Sequence, residues 1–361
     1  ETTLPNAVAY EDFIAGGTDF TWPELDETEA AALCYTSGTT GHPKGVLYSH
    51  RSTVLHALGV SLPDVFRLSR AATVLPIVPM FHACAWGLPY ASAATGAKMV
   101  MPGPKMDPAS ITELLISEGV NFSAGVPSVF FPLVQHWREH GKPEALEMVL
   151  LGGSAPPQSL IAALEGEFGI EFRHGWGMTE SSPRGSVNTL LPAHPEQDLE
   201  TRSAFQTKQG QAPFGIELRI VGQDGEILPH DGVAFGELQM RGPWVVDGYF
   251  QGDDDSLTDD GWFPTGDIAT IDPESYIQIT DRTKDLIKSG GEWISSIDVE
   301  NTAMGHPDIQ MAAVIGVPHE KWGERPLLIA IPRPESSPTP ESVLEFLGGS
   351  LAKWQPVSYT H

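Results

Sequence analysis

The feature that most constrains the fold is a regular alternation of short apolar segments with helical patterns between residues 72 and 168. Short apolar runs bounded by turn residues are typical of buried strands, and apolar residues that recur every three or four positions are typical of helices. The predicted strands are 72–79, 97–101, 121–126 and 148–151, and the predicted helices are 107–118, which Asp107 caps, 129–140 and 159–168. This alternation predicts a parallel sheet covered on both faces.

The pattern changes after about Pro192, where Gly and Pro separate short strands at 215–221, 234–241 and 276–279. Such spacing favours a small barrel or an antiparallel sheet. A last unit begins near Asp281, with a hairpin over 285–295, a helix at 297–304, strands at 310–317 and 327–331, and a helix at 340–353. We therefore predict an α/β fold. Its large domain, 1–280, has parallel sheets flanked by helices and a small β-barrel-like subdomain, and its small α+β C-terminal domain is 281–361.

Ahead of this sheet, the stretch Tyr35–Val46 concentrates Thr, Ser and Gly around one lysine. It lies between two predicted strands, and the helix that follows is predicted to have Ser52 as its N-cap. Backbone N–H groups, hydroxyls and the ammonium of Lys44 can together hold a polyphosphate. The stretch is not the Walker pattern, because Pro43 stands where that pattern has Gly before the lysine. The alternative is a surface turn rich in Gly and Thr.

Composition restricts the partners of such a site. Asp and Glu number 47 against 21 Lys and Arg, and the net charge of −26 argues against nucleic acid or an anionic membrane as a partner. The two cysteines, Cys34 and Cys84, imply no disulfide framework and favour a reducing, cytoplasmic location. No run approaches the roughly 18 apolar residues of a membrane span, so no transmembrane segment is predicted.

Three further stretches carry groups that suit nucleotide chemistry. Gly175–Glu180 places an aromatic ring, a hydroxyl and a carboxylate side by side, which suits base stacking, phosphate contact and Mg²⁺ binding. Thr265–Asp267 places a carboxylate after a glycine turn, where it can accept both hydroxyls of a ribose. The stretch from Asp281 to Gly291 adds positive charge near the predicted domain boundary.

Together these motifs resemble the acyl-activating adenylate-forming superfamily, which includes acyl-CoA synthetases, peptide-synthetase adenylation domains and beetle luciferases. The matching stretches follow the family's order: 35–46, 79–82, 175–180, 236–238 with Gly242, 248–249, 265–267 and 281–291. Within the superfamily, residues 79–86, 152–155 and 284–295 are most similar to medium- and long-chain fatty acyl-CoA synthetases. That branch also contains ligases for 3-methylmercaptopropionate.

The resemblance implies a two-step reaction with ATP, Mg²⁺ and coenzyme A. A carboxylate attacks the α-phosphorus of ATP to give an acyl-adenylate and pyrophosphate, and the CoA thiol then displaces AMP. The small domain is expected to turn between the two steps about Asp281. The expected partners are small molecules, namely a carboxylic acid, ATP and CoA. A homodimer is the candidate protein assembly.

The resemblance also implies residue roles. The candidate catalytic residues are Lys44, His82, Thr179, Glu180 and Lys288, with Glu180 as the metal ligand. The candidate cofactor-binding residues at the β- and γ-phosphates are Thr36, Ser37, Gly38, Thr39, Thr40 and Gly41. Those at the adenine are Gly153, Ser154, Ala155 and Trp176, with Gly177 beside them, and those at the ribose are Asp267 and Arg282. Gly290 and Gly291 are expected to border the CoA channel, and Lys284 is a further cofactor-binding candidate. Trp86 is the expected gate of an acyl tunnel that His82 lines.

Several residues have a structural alternative, and the function has rivals. His82 and Trp86 could be core residues, and Lys284 and Lys288 could be solvated charges. Rival functions are another adenylate-former, acting on an aryl or amino acid, and a nucleotide-binding protein without catalysis. The family usually has Tyr at the position of Trp176.

The chain differs from the family pattern at both ends. Family members carry a longer segment before the phosphate loop, and beyond 353–356 they continue to a Gly–Lys loop whose lysine acts in adenylation. From the sequence alone we therefore expect a chain that is incomplete at both ends and incomplete for catalysis.

Overall fold

The computed structural model describes residues 7–17, 21–36, 43–192, 194, 197–252, 256–282, 287–289, 292–333, 336–351 and 359–360. The strands are β1 (Ala30–Tyr35), β2 (Gly45–Ser49), β3 (Thr73–Pro76), β4 (Lys98–Met99), β5 (Phe122–Gly125), β6 (Met148–Gly152), β7 (Glu171–Gly177), β8 (Arg184–Asn188), β9 (Glu217–Val221), β10 (Phe235–Arg241), β11 (Phe263–Ile271), β12 (Ile277–Arg282), β13 (Ile287–Ser289), β14 (Glu292–Ile294), β15 (Ile309–His319), β16 (Gly323–Pro332) and β17 (Tyr359–Thr360). The helices are Tyr10–Ile14, His50–Ser61, Leu88–Thr95, Pro108–Ser117, Pro127–His140, Gln158–Ala162, Leu199–Phe205, Ser296–Met304 and Pro340–Ser350. Among the helices in these ranges, none is long and apolar enough to cross a membrane.

The predicted parallel sheet is confirmed. Its strand order is β4-β3-β5-β6-β7-β8, with parallel pairing throughout except for the antiparallel edge strand β8. Successive residues of β6 point to opposite faces, as the strand period requires. Val149 and Leu151 pack with the helices Pro108–Ser117 and Pro127–His140, whereas Met148 and Leu150 pack in a second cluster on the other face. Helices thus cover both faces of the sheet.

Of the two alternatives for the middle region, the structure has the antiparallel sheet, with strand order β12-β11-β10-β9. The β1–β2 hairpin packs against it through a shared cluster that includes Tyr48, Trp176 and Leu238. The phosphate-loop hairpin, the end of β7 and the antiparallel sheet are therefore neighbours in space.

The C-terminal unit has its own sheet and core. The order is β14-β13-β16-β15, with β17 beside β16, and a cluster including Val299, Leu328 and Leu347 joins the sheet to the helices Ser296–Met304 and Pro340–Ser350. This α+β unit agrees with the predicted fold class. The boundary at residue 280 stays a prediction.

Two local predictions need correction. Ser49, and not Ser52, is the N-cap of the helix His50–Ser61, because Ser49 Oγ accepts from Ser52 N and Ser52 Oγ accepts from Ser49 N, both at 3.0 Å. This reciprocal pair is a capping box, in which Ser52 holds the N3 position. The single helix predicted over 159–168 ends at Ala162, and a π-helical turn continues over Ala163–Glu167.

Candidate nucleotide site

The two ends of the phosphate loop are tied together at its base. Thr36 N donates to Lys44 O at 2.9 Å, and Lys44 N donates to Thr36 Oγ1 at 3.1 Å. The loop therefore closes between the paired ends of β1 and β2, where Tyr35 lies opposite Gly45. The predicted phosphate-binding residues Ser37, Gly38, Thr39, Thr40 and Gly41 lie outside the described residues.

Lys44 and Glu180 meet at a shared neighbour, Tyr249. The Lys44 ammonium lies 4.4 Å from the centroid of the Tyr249 ring, within the range of a cation–π contact. The Tyr249 hydroxyl donates to Glu180 Oε1 at 2.7 Å. Burial raises the pKa of Tyr249, and the hydrogen bond to Glu180 and the charge of that carboxylate raise it further. The phenol therefore stays protonated and remains a donor to the carboxylate.

The turn that carries Thr179 and Glu180 is held from two sides. Tyr48 of β2 donates its hydroxyl to Thr179 O at 2.7 Å, and Val246 N donates to Glu180 O at 2.9 Å. Tyr48 is buried, and that burial raises its pKa and keeps it a donor. Tyr48 therefore ties the turn to strand β2 of the hairpin.

The predicted ribose carboxylate is bound on both of its oxygens. Trp176 Nε1 donates to Asp267 Oδ2 at 2.9 Å, and Arg282 Nε lies 2.9 Å from Asp267 Oδ1. Asp267 and Arg282 are direct cross-strand partners of β11 and β12, so their pairing follows from the strand register. The structure thus brings together three residues that the resemblance assigned to one nucleotide.

Asp267 is only 4% exposed, and its burial raises its pKa. The charge of Arg282 and the Trp176 hydrogen bond oppose that rise, while the charge of Glu180 adds to it. Each further hydrogen-bond donor stabilises the charged form of such a buried carboxylate. The two hydroxyls of a ribose are donors of that kind.

The loops that follow β6 and β7 lie side by side at the carboxyl ends of two adjacent parallel strands. Gly152 is paired with Gly175 in register, and a Cβ on Gly152 would lie 2.6 Å from Gly175 O. The two backbones can therefore approach this closely because residue 152 is a glycine. The predicted adenine residues Gly153, Ser154 and Ala155 are exposed beyond β6, and Gly177 is exposed at the end of β7. Ligands of open α/β sheets characteristically bind at such an edge.

Trp86, the predicted acyl gate, lies on an uncommon backbone turn. Ala83 to Gly87 all have φ between 45° and 73°, a run of left-handed residues that costs free energy at each residue other than glycine. The Trp86 side chain is buried at 6% exposure, with its ring next to Gly152. His82 precedes the turn and is exposed. Cys84 on the turn has its sulfur 3.6 Å from that of Cys34, and both are free thiols.

Asp281, the predicted hinge, caps a helix in this structure. Its carboxylate accepts from Ser296 N and Ser296 Oγ at the start of the helix Ser296–Met304, and from Arg282 N at 2.7 Å. It therefore links the end of β12 to the first helix of the C-terminal unit. Lys288 lies in β13 opposite Trp293, whereas Lys284, Gly290 and Gly291 lie outside the described residues.

Comparison with known sequences decides the family. Residues 4–250 match the family described as AMP-binding enzyme, and residues 298–359 match the AMP-binding enzyme C-terminal domain. The chain belongs to the AMP-binding enzyme family. The resemblance to adenylate-forming enzymes is thereby confirmed, and the relatives agree with the fatty acyl-CoA synthetase branch.

Two curated relatives and one solved structure illustrate the match. The chain is 50% identical over 354 residues to 3-methylmercaptopropionyl-CoA ligase of Ruegeria lacuscaerulensis, covering 98% of this chain and 66% of the relative. It is also 50% identical over 354 residues to the medium-chain-fatty-acid–CoA ligase of Ectopseudomonas oleovorans, covering 98% and 65%. ATP-bound MatB from Rhodopseudomonas palustris is 26% identical, with a TM-score of 0.83 over 96% of this chain and 67% of MatB. This member of the AMP-binding enzyme family therefore spans about two thirds of the length of these curated relatives.

The sequence pattern assigned no role to Tyr48 or Tyr249, although both contact predicted site residues of this AMP-binding enzyme. Tyr249 stood within a family motif, so its position was a usable signal. Tyr48 carried no such signal, because its importance comes from a contact between segments far apart in sequence.

Proposed function

We propose that this chain carries the acyl-adenylating site of an AMP-forming acid–thiol ligase, an acyl-CoA synthetase that joins a carboxylic acid to CoA using ATP. Two observations support the proposal: membership of the AMP-binding enzyme family and the names of the two relatives at 50% identity. The proposed acid is a medium- or long-chain fatty acid or 3-methylmercaptopropionate. The sites for ATP and CoA, both abundant in the cytoplasm, together with the free thiols, favour a cytoplasmic location.

One observation carries the proposal. The stretch Trp176–Glu180 contacts Asp267 at one end and Tyr249 at the other, and Tyr249 in turn packs under the Lys44 ammonium. A single short segment thus connects the predicted ribose carboxylate, the predicted metal carboxylate and the lysine of the phosphate loop. These three groups match, in order, the ribose, the Mg²⁺ ion and the phosphates of Mg-ATP.

Each of these groups has a plain chemical task. Lys44 and the N–H groups of its loop offset the charge of the phosphates, and Asp267 fixes the ribose so that the α-phosphorus stays in line with the acid. Glu180 fits Mg²⁺, because its carboxylate accepts one hydrogen bond from Tyr249 and offers oxygen ligands of the kind this cation prefers. When bound, Mg²⁺ neutralises phosphate charge. The large and small domains are proposed to meet near residue 280, between the two family matches, and the homodimer stays an untested prediction.

The test is ATP–pyrophosphate exchange with a series of fatty acids and with 3-methylmercaptopropionate, followed by detection of the CoA thioester. Glu180→Gln should lower exchange by roughly 100-fold, because it removes a charge that acts on the phosphates. Glu167→Gln, which alters a glutamate paired with Arg138 on the surface, is the matched control and should leave exchange unchanged. Exchange only with aryl or amino acids would assign the chain to another adenylate-former. Nucleotide binding with neither exchange nor binding of a stable acyl-adenylate analogue would reject the acyl-adenylating site.

A further inference from the structure

Arg184, the first residue of β8, has a buried guanidinium that is almost without partners. The residue is 3% exposed, and among the described residues no carboxylate lies within ion-pair distance of it. Its one hydrogen bond is a long one, from Nη1 to Ser186 O at 3.4 Å, and its Nε has no partner. The Phe66 ring centroid lies 5.1 Å from Cζ. Among the described residues, the Nε donor of Arg184 is therefore unsatisfied and its Nη1 makes only a long hydrogen bond.

A second buried arginine shows how this fold treats a structural guanidinium. Arg173, in β7, is equally buried, and it donates to Glu171 Oε1 from Nε at 2.8 Å and from Nη2 at 2.6 Å. Its Nη1 also donates to two backbone oxygens, those of Pro63 and Val65. Burial of an unpaired charge costs several kcal/mol, which is why buried arginines are ordinarily paired in the manner of Arg173. Arg184 departs from that rule.

The unsatisfied guanidinium lies at the proposed acyl end of the site. A Cβ on Gly175 would lie 1.8 Å from Arg184 Nη1, so the glycine of β7 makes the space that the guanidinium occupies. Gly175 is paired with Gly152, and a Cβ on Gly152 would lie 3.3 Å from the Trp86 ring. Arg184 therefore adjoins the two strand ends that the proposed acyl gate also touches.

The titratable neighbours of Arg184 do not supply the missing negative charge. His56 and His174 are both buried, and burial lowers the pKa of His56 to about 3 and that of His174 to about 4, with the charge of Arg184 contributing to both shifts. Both imidazoles are therefore neutral at pH 7. The Arg184 guanidinium is thus a buried positive charge with no counter-ion in the part of the chain that the structure describes, which is the arrangement of an anion subsite.

We propose that Arg184 is a specificity-determining residue whose guanidinium binds a second carboxylate, at the end of the acid remote from the carboxyl group that is activated. The proposal rests on the acyl-adenylating function and narrows the medium-chain acids of that function to those that carry a second carboxylate at the far end. A wild-type chain that prefers the plain fatty acid or 3-methylmercaptopropionate over the diacid overturns it. A carboxylate matches the planar fork of a guanidinium with two parallel hydrogen bonds, and its charge would balance that of Arg184.

The first test compares three acids at each chain length from succinate to sebacate: the diacid, its monomethyl ester and the plain monocarboxylate. In ATP–pyrophosphate exchange, kcat/KM should favour the diacid over its ester by about 10- to 100-fold. Arg184→Leu should abolish that ratio, and Arg184→Lys, a point charge without the fork, should retain part of it. Arg138→Leu removes a surface arginine and should leave the ratio unchanged.

The second test needs no catalysis. A structural arginine would lower the melting temperature when replaced, as we expect for Arg173→Leu, whereas Arg184→Leu should keep or raise it, because the variant no longer buries an unpaired charge. A diacid with AMP should raise the melting temperature of the wild-type chain and not that of Arg184→Leu.

The outcomes separate this proposal from the proposed function. Absence of both exchange and acyl-adenylate analogue binding rejects the acyl-adenylating function, while a diacid-dependent rise in melting temperature that needs Arg184 still supports the subsite. Equal use of diacid and ester by the wild-type chain overturns the subsite, as does a destabilised Arg184→Leu whose acid preference is unchanged.

Discussion

The hydrogen bond from Trp176 to Asp267 offers the sharpest test of the nucleotide site. Replacing Trp176 by Phe keeps an aromatic ring and removes the Nε1 donor that lies 2.9 Å from Asp267 Oδ2. A hydrogen bond to a charged acceptor contributes about 1.5–3 kcal/mol, and here its loss leaves one oxygen of a buried carboxylate without that donor. If Asp267 binds the ribose, AMP affinity should fall by roughly 10-fold.

The fold contains a matched control for this change. Trp137 Nε1 donates to Thr112 Oγ1 at 3.0 Å inside the core of the parallel sheet, so Trp137→Phe also removes one indole hydrogen bond. That acceptor is neutral and lies in a different cluster from Trp176. We expect Trp137→Phe to lower the free energy of unfolding by at least ~1 kcal/mol and to leave AMP affinity unchanged.

The pH dependence of AMP binding makes the test stricter. Burial raises the pKa of Asp267 in the fold, and the Trp176 donor is one of the two groups that oppose the rise. The Asp267 carboxylate therefore takes up a proton more easily in the folded chain than in the unfolded chain. Its contribution to the free energy of unfolding is greatest at acidic pH and is lost as pH rises through the folded pKa. Trp176→Phe raises that pKa further, and the loss of AMP affinity on acidification should begin at a higher pH than in the wild type.

Isothermal titration calorimetry with AMP across a pH series measures both quantities for the three proteins. The reasoning is refuted if Trp176→Phe binds AMP as tightly as the wild type at every pH. It is refuted equally if Trp137→Phe loses as much affinity, since the effect would then report general loosening and not the contact with Asp267.

Three further predictions follow from single contacts. Tyr249→Phe removes the donor to Glu180 and should lower the free energy of unfolding by about 1–2 kcal/mol in urea titrations while raising KM for ATP, because a buried carboxylate loses its partner. Asp281→Ala should speed amide exchange in the helix Ser296–Met304 and cost about 1 kcal/mol, as the loss of an N-cap does. His56 has its pKa lowered to about 3, so the unfolded chain takes up its proton first as pH falls below 6.5, and His56→Gln should reduce the fall in melting temperature between pH 6.5 and pH 4.

The parallel sheet could be predicted because each strand is buried on both faces and each helix carries a periodic apolar face. The ends of the elements could not be predicted as well. Val78 is as buried as a strand residue, yet β3 ends at Pro76, because an apolar run reports burial and not membership of a hydrogen-bonded ladder. Ser49 and Ser52 are both good caps, and only the position of the first turn decides between them.

The candidate site divides in a similar way. Asp267 and Glu180 stand in compact motifs, so the sequence could nominate them one at a time. The hydrogen bonds between them could not be predicted, since Trp176 and Asp267 are 91 positions apart and Glu180 and Tyr249 are 69 apart. A motif identifies a group that can do chemistry, whereas the fold determines which donors set its charge state and its position.

The two buried arginines make this difference concrete. Arg173 and Arg184 stand on neighbouring strands, and nothing in their local sequence separates a structural guanidinium from a binding one. The hydrogen bonds to described residues separate them: Arg173 makes four, two of them to a carboxylate, while Arg184 makes one of 3.4 Å. A fold that satisfies one guanidinium so completely could have satisfied the other. We therefore attribute the missing hydrogen bonds of Arg184 to a ligand that supplies them when it binds. Replacing Arg184 should then stabilise the chain and change the acid that it accepts.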